Sequence, residues 1–184
     1  MPKKIAIMQP YFFPYIGYWQ LINAVDIFVL YDDVNFIKKG WINRNNILLN
    51  KSKHLITIPL LNVSQNKHIN ECIISDDDKI INNIIKTMNL AYRKAPYYNL
   101  VFPTLEKIIK TKGSISDLVL KSVLWIKEYL NIDTEIILSS SIGKNNELKG
   151  QDKIIEIVKK INGNHYINAI GGQELYDKEI FNNN

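Results

Sequence analysis

The fold class follows from residues 3–33, KKIAIMQPYFFPYIGYWQLINAVDIFVLYDD. KKIAIMQ is a short isoleucine-rich run that ends at Pro10, which indicates a buried strand. Residues 14–25 repeat apolar residues at helical spacing and predict a helix. Residues 26–32, DIFVLYD, predict a second buried strand. The connection between the two strands is long enough for a parallel crossover, so we expect an α/β fold.

The rest of the chain continues the alternation of strands and helices. Further strands are predicted at 54–61, 69–75, 134–141 and 165–170, and further helices at 75–95, 98–112, 114–130, 149–163 and 174–181. Residues 34–48 lack a clear period and are interpreted as a long loop. We therefore predict one α/β domain over residues 1–184, with a mostly parallel sheet flanked by helices and a helical insertion or cap at about 76–130.

Composition and charge restrict the classes of ligand that the protein can be expected to bind. The 184-residue chain carries a formal net charge of +5, which suits an anionic small molecule, and without a basic block or a nucleic-acid motif we expect no nucleic-acid partner. The sequence has no P-loop and no zinc-ligand spacing, so we predict no metal site of that kind. Cys72 is the single cysteine, so no intrachain disulfide can form. Neither a signal peptide nor a membrane span is predicted, and we expect a cytoplasmic protein.

The stretch after the first strand, MQPYFFPYIGYWQLI at residues 8–22, suggests a binding site. Ligands of open parallel sheets bind beyond the carboxyl ends of the strands, where this stretch begins. An amide, several phenols and a glycine before a helix could contact a base, a sugar or a phosphate. The candidate binding residues here are Gln9, Tyr11, Tyr15, Gly17 and Tyr18. The alternative is that the rings only pack the first helix, and we assign Phe13 and Trp19 to packing.

Asp32 and Asp33 end the second strand, and they are the candidate catalytic residues. A carboxylate there could act as a general base, hold a metal ion or accept hydrogen bonds from sugar hydroxyls. Adjacent side chains of an extended segment point in opposite directions, so we expect only one to face the site. The alternative is a solvated pair or a cap at the end of the strand.

Two other segments supply candidate ligand-binding residues. KKGWINRNNI combines cations for phosphate with an indole for stacking and amides for hydrogen bonds. In the second segment, near residue 150, a lysine begins a predicted helix, where the helix dipole disfavours a positive charge. A tyrosine and a glycine lie in and just after the last predicted strand. The candidates are Lys39, Trp41, Asn43, Arg44 and Asn45 in the first segment, and Lys149, Tyr166 and Gly171 in the second.

The residues of both segments resemble a known family. Residues 8–48, with the Tyr-Phe-Pro-Tyr-Ile-Gly-Tyr core, the strand-end aspartate and Trp-x-Asn-Arg-Asn, resemble the N-terminal signature of the WbqC-like family, and residues 148–177 resemble its second block. The resemblance implies a role in bacterial O-antigen or related surface-polysaccharide biosynthesis, where glycyl or other aminoacyl transfer to an amino sugar has been suggested. Family members generally continue further, so a C-terminal portion is expected to be missing.

A second resemblance concerns YIGYWQLI, Tyr15 to Ile22. It is similar to the His-x-Gly-His-x-x-Leu-Ile stretch of the HIGH-type nucleotidyltransferases such as pantothenate synthetase, which implies that fold and the activation of a carboxylate by adenylation. Tyr15 and Tyr18 stand where that motif has histidines. A phenol with a pKa near 10 cannot replace an imidazolium beside phosphate, so nucleotide binding is implied more strongly than adenylyl transfer.

Two functions are consistent with these observations. The first is an enzyme that transfers an aminoacyl or acyl group from an activated donor to a nucleotide-linked amino sugar, with the cofactor left open and ATP with Mg²⁺ as one option. The second is a module that binds the nucleotide sugar without catalysis. The sequence does not name the sugar, the donor or the oligomeric state.

Overall fold

A computed structural model describes residues 2–182, apart from the side chains of residues 173–175 and 182. It has the predicted α/β architecture, with a four-stranded parallel sheet flanked by helices. The strands are β1 (Lys4–Met8), β2 (Ile27–Leu30), β3 (Arg44–Leu49), β4 (Ser52–Thr57), β5 (Glu135–Leu138) and β6 (His165–Tyr166). The α-helices are α1 (Ile16–Asn23), α2 (Asp78–Tyr92), α3 (Tyr98–Ile109), α4 (Ile115–Tyr129), α5 (Gly150–Lys160) and α6 (Lys178–Asn182). Short 3₁₀-helices occupy Ile69–Glu71, Ser139–Ser141 and Ile170–Leu175.

The chain divides into two compact units. The first, which we call the sheet unit, comprises Met1–Gln9, Tyr15–Tyr31 and Lys127–Asn184. The second, which we call the hairpin unit, comprises Pro10–Pro14 and Asp32–Ile126. That the two act together as one domain stays a prediction.

The sheet unit contains the parallel sheet, in the order β5-β2-β1-β6. Ile5 pairs with Ile27, and Leu30 pairs with Leu138, so β1, β2 and β5 run in register. All four residues of β2 are buried, which is typical of a parallel strand covered on both faces. The chain adds β2 and β5 on one side of β1 and then β6 on the other. This reversal beside β1 is a topological switch point, where open α/β sheets bind ligands.

Helix α5 covers the sheet and completes the core of this unit. Buried aliphatic side chains of β1, β2 and α5 form that core, namely Ile5, Ile7, Ile27, Val29, Ile154, Ile157 and Val158. The turn after α5 takes its left-handed residue from Asn162, with φ 56°. Gly163 follows because a Cβ atom there would lie 2.3 Å from Cγ1 of Ile5. Close packing against β1 therefore requires a glycine at this position after the helix.

Helix α1 is shorter than the predicted helix over residues 14–25. Tyr15 is its N-cap residue and Pro14 lies before it. At its other end, the buried hydroxyl of Thr134 lies 2.7 and 3.0 Å from the carbonyl oxygens of Ile22 and Val25, between which it shares its single proton. Ile22 belongs to the last turn of the helix, where carbonyls receive no i+4 hydrogen bond from the helix itself.

The hairpin unit corrects the prediction of a loop over residues 34–48. Strand β3 begins at Arg44 and pairs antiparallel with β4. The two-residue turn consists of Asn50 and Lys51, with φ of 51° and 62°, as a type I′ turn requires. The sequence hid this hairpin because lysine is an unusual second residue for such a turn and because Asn-rich β3 has little apolar alternation.

Helices α2, α3 and the greater part of α4 form the predicted helical block of the hairpin unit. Asp77 caps α2 by accepting from the backbone N–H groups of Lys79 and Ile80. Ser114 and Asp117 form a capping box at the start of α4, because each accepts from the backbone N–H of the other.

Two strand predictions were wrong in part. Residues 69–75 form a 3₁₀-turn and isolated bridges, in which Ile73 pairs with Ser114 and Ile74 pairs with Leu60. The predicted last strand over 165–170 is only His165–Tyr166, and a 3₁₀-helix begins at Ile170. In the first segment Ile69, Cys72 and Ile74 are buried without belonging to a strand, and in the second Ile170 is 84% exposed. Apolar content alone therefore does not identify a strand in either segment.

Candidate functional site

In the hairpin unit, Asn45 holds the aromatic loop at residues 10–14. Its side-chain nitrogen donates to the carbonyl oxygens of Phe12 at 3.1 Å and Phe13 at 2.7 Å. The Phe12 N–H donates to the carbonyl of Trp41 at 3.0 Å. Phe13 has a left-handed φ of 46°, which is unfavourable for a phenylalanine. The amide of Asn45 therefore stabilises a strained turn.

The neighbours of Asn45 also bind backbone. The side-chain nitrogen of Asn43 donates to the carbonyl of Ile58 at 2.8 Å. Nε of Arg44 donates to the carbonyl of Gly40 at 3.0 Å, and an Nη atom donates to that of Lys39. These contacts use two of the five N–H donors of the guanidinium and fix its position.

The fixed guanidinium belongs to a small aromatic and cationic cluster. The rings of Tyr11 and Trp41 are stacked, with centroids 6.3 Å apart and planes 23° apart. Cζ of Arg44 lies 5.9 Å from the Trp41 centroid. Trp41 is 43% exposed, and Lys39 is also exposed, with a left-handed φ of 63°. The structure thus brings together four of the candidate residues of this unit.

Asp32 and Asp33, also in the hairpin unit, are buried, with 1% and 8% of their surfaces exposed. The Asp32 carbonyl accepts from the N–H of Asn70 at 3.0 Å. Burial excludes the alternative of a solvated pair, since a carboxylate loses its hydration when it is buried and needs compensating contacts. Their catalytic role stays a prediction.

In the sheet unit, Tyr18 is an interior residue. Its hydroxyl donates to the carbonyl of Gln9 at 3.0 Å, and its ring meets Phe28 edge to face at 5.1 Å. Burial raises the pKa of Tyr18, so the phenol stays neutral. Tyr15 is exposed, and its ring lies over Gly17, where a Cβ atom would be 2.4 Å from Cε2 of the ring. The glycine therefore makes room for a side chain of the same helix.

The three remaining candidates lie towards the end of the sheet unit. Tyr166 stacks on Phe181 at 5.2 Å and lines a cleft of about 840 Å³ beside α5 and α6. Burial raises the pKa of Tyr166. Lys149 is the exposed N-cap residue of α5, and Gly171 is exposed in a 3₁₀-helix. Neither of these two lines the cleft with Tyr166.

Sequence reasoning missed a cluster of polar side chains at the carboxyl ends of β2 and β5, formed by Ser139, Lys144 and Lys153. Lys153 is only 6% exposed, and its Nζ lies 5.4 Å from the centroid of the Tyr31 ring. Ser139 is fully buried, and the Lys144 ammonium donates to its carbonyl. The available signal was Lys153 itself, because it directly precedes Ile154 and lies one turn before Ile157 on the apolar face of α5.

Neither a metal-binding cluster nor a membrane-spanning helix is found among the described residues. Within residues 2–182, no group of three or more His, Cys, Asp or Glu side chains could hold a metal ion. Over the same part of the chain, no helix combines the length and the apolar character that crossing a membrane requires.

The chain belongs to the WbqC-like protein family, whose model matches residues 9–184. Membership suggests a role in polysaccharide biosynthesis. The chain is similar to Uncharacterized protein Rv1507c of Mycobacterium tuberculosis (strain ATCC 25618 / H37Rv), with 43% identity over 58 residues. That stretch covers 32% of this chain and 25% of the relative. No solved structure matches the chain significantly, and the HIGH-type nucleotidyltransferase fold stays a prediction.

Proposed function

We propose that the protein binds a nucleotide-linked amino sugar and transfers a glycyl, other aminoacyl or acyl group to its amino group in O-antigen or surface-polysaccharide biosynthesis. The sugar amine attacks the activated carbonyl carbon of the donor, and an amide bond forms. The bond from that carbon to the leaving group breaks, and the leaving group departs with the bonding electrons. A carboxylate accepts the proton that the amine loses.

The observation that carries the binding part is the Trp41 cluster of the hairpin unit. Trp41 is 43% exposed. Tyr11 stacks on its ring, and the Arg44 guanidinium lies over it. An exposed and immobilised indole is a platform on which a base or a sugar ring can stack. Arg44 and exposed Lys39 supply positive charge for a diphosphate, and backbone bonds already fix the arginine.

The catalytic part rests on Asp32 and Asp33. Both are buried, where a carboxylate interacts more strongly with a neighbouring charge than it does in water. One of them would accept the proton of the amine. If ATP activates the donor, the aspartate that faces the site would also suit Mg²⁺, which proteins often hold through one or two carboxylates and the phosphates of the substrate.

Ligand binding is tested first, by thermal shift and calorimetry with UDP-, dTDP- and GDP-linked amino sugars and with glycine. We expect a nucleotide sugar to raise the melting temperature by mass action. Trp41→Ala should weaken that binding at least about tenfold, which corresponds to the loss of one stacking contact. Leu48→Ala is the matched control, because Leu48 is also apolar and exposed in the hairpin unit. The proposal is wrong if none of these compounds binds, or if both variants bind as the wild type does.

The second candidate is a non-catalytic nucleotide-sugar-binding module. It is favoured by Tyr18, which stands where a HIGH-type motif has a histidine and donates its hydroxyl to backbone. The two candidates are separated by Asp32→Asn and Asp33→Asn, made singly and assayed for amide formation and for ligand affinity. An enzyme requires that one variant loses turnover while its affinity and melting temperature stay close to those of the wild type. A module predicts no turnover in the wild-type protein.

A further inference from the structure

The polar cluster of Ser139, Lys144 and Lys153 lies at the carboxyl edge of the sheet, within the sheet unit. Tyr31 directly follows β2 and Ser139 directly follows β5. The residues before them, Leu30 and Leu138, are paired in register, so Tyr31 and Ser139 begin neighbouring segments at the same edge. Open parallel sheets bind ligands beyond the carboxyl ends of their strands.

Lys153 approaches this edge from α5. Its side chain is 6% exposed, and its Nζ lies 5.4 Å from the centre of the Tyr31 ring. Lysine is rarely buried to this degree, because its ammonium group is strongly hydrated in water. The core residues beside it on α5 are isoleucine and valine, and an apolar residue would pack there at lower cost. The ammonium therefore calls for a role other than packing.

Ser139 and Lys144 add polar groups at the same place. The ammonium of Lys144, which is half-buried, donates to the carbonyl of Ser139. The Ser139 hydroxyl is fully buried, and its oxygen has no hydrogen-bond partner in the described part of the chain. A buried hydroxyl without a partner is unfavourable in the absence of a ligand. A ligand oxygen would satisfy it.

We propose that Ser139, Lys144 and Lys153 form a phosphate-binding site in the sheet unit. Two ammonium groups and one hydroxyl donor match a phosphoryl group, for which lysine acts as a point charge. The site shares no residue with the Trp41 cluster and does not depend on the proposed function. The phosphoryl group can belong to a nucleotide or to a free phosphate or pyrophosphate.

The test measures the binding of phosphate, pyrophosphate, a nucleoside diphosphate and the matching nucleoside by calorimetry at low salt. We expect pyrophosphate or the nucleoside diphosphate to bind the wild-type chain, and the nucleoside to bind at least tenfold more weakly than its diphosphate. Lys153→Met and Lys144→Met should each weaken anion binding at least tenfold. A nucleoside diphosphate that binds tenfold more tightly than pyrophosphate identifies a nucleotide as the source, and equal affinities identify the phosphoryl group alone.

The controls separate binding from folding. Lys160→Met removes an exposed lysine from the same helix and should leave affinity unchanged, whereas Lys153→Arg keeps the charge and should retain affinity within a few-fold. The inference is overturned if none of the anions binds the wild-type chain. It is also overturned if Lys153→Met lowers the melting temperature but binds pyrophosphate normally, since the lysine is then structural. Pyrophosphate binding that is unchanged in Lys144→Met and Lys153→Met, beside nucleotide-sugar binding that depends on Trp41, would refute this site and leave the proposed function intact.

Discussion

Two polar regions of the molecule use their side chains differently. In the segment at residues 39–45 of the hairpin unit, Asn43, Arg44 and Asn45 donate to backbone carbonyls. At the β2–β5 edge of the sheet unit, the Ser139 hydroxyl and the Lys153 ammonium are buried. The local backbone explains the first set, whereas packing alone does not explain the second. Ligand-like residue types in such a segment can thus bind its own backbone, while burial at strand ends identifies site candidates that residue type alone does not.

Asn45→Ala should have the largest effect on stability and tests the structural side of this comparison. It removes both side-chain bonds to the 10–14 loop and leaves the carbonyls of Phe12 and Phe13 without that donor. We expect a loss of about 2–3 kcal/mol in the free energy of unfolding, the sum of two ordinary hydrogen bonds. Urea titration followed by circular dichroism measures it.

Asn46→Ala is the control for Asn45→Ala, because Asn46 lies on the same strand and is also half-buried. Its loss should stay below about 1 kcal/mol, as for most substitutions away from special features. Equal losses for the two variants would contradict a particular role for Asn45.

Tyr18→Phe should have an intermediate effect that depends on pH. At pH 7 it removes one hydrogen bond to Gln9 and should cost about 1 kcal/mol. Burial raises the pKa of Tyr18 in the folded state, so the unfolded chain loses this proton first, near pH 10. The stabilising contribution is complete below pH ~10 and declines by about 1.4 kcal/mol per further pH unit.

Urea titrations at pH 7 and about pH 11 measure this difference. The wild type should lose more stability than Tyr18→Phe between the two pH values, because phenylalanine does not ionise. If both proteins lose the same amount, Tyr18 does not act as an interior phenol.

Ser139→Ala should have the smallest effect and sharpens the other side of the comparison. The hydroxyl of Ser139 has no hydrogen-bond partner among the described residues, so its removal should change the unfolding free energy by less than about 0.5 kcal/mol or raise it. Thr134→Val is the matched hydroxyl deletion, and it should cost about 1–2 kcal/mol because that buried hydroxyl donates its proton to backbone carbonyls. A larger loss for Ser139→Ala than for Thr134→Val would show that Ser139 is structural.

The sheet could be predicted from the sequence because its determinants are local. The buried runs of β1 and β2 and the helix between them follow from the spacing of apolar residues. Strand β3 could not be predicted, since it depends on a turn at Asn50 and Lys51 and on pairing with β4. The order of the strands beyond β2 depends on pairing between residues far apart in sequence, which periodicity does not encode.

For the candidate site, residue types indicated chemistry but not partners. The stack of Tyr11 on Trp41 fits the prediction of an aromatic binding surface, whose role in ligand binding remains to be tested. The bonds of Asn43 and Asn45 to backbone could not be predicted, because an amide that binds a carbonyl looks the same in sequence as one that binds a sugar. Burial of Lys153 could not be predicted, because the sequence is rich in lysine, although the residue lies on an apolar face of the predicted helix.

The division of the chain also has a consequence for its synthesis. Strand β1 pairs with β6 through Lys4 and His165, and Ile5 pairs with Tyr166. The sheet unit therefore cannot be completed until β6 has left the ribosome, whereas Asp32–Ile126 of the hairpin unit is available earlier. During this time β1 lacks its neighbour β6 and β2 lacks its neighbour β5. Contacts between residues so far apart in sequence form slowly. We expect nascent chains stopped after α4 to bind chaperones through these two strands.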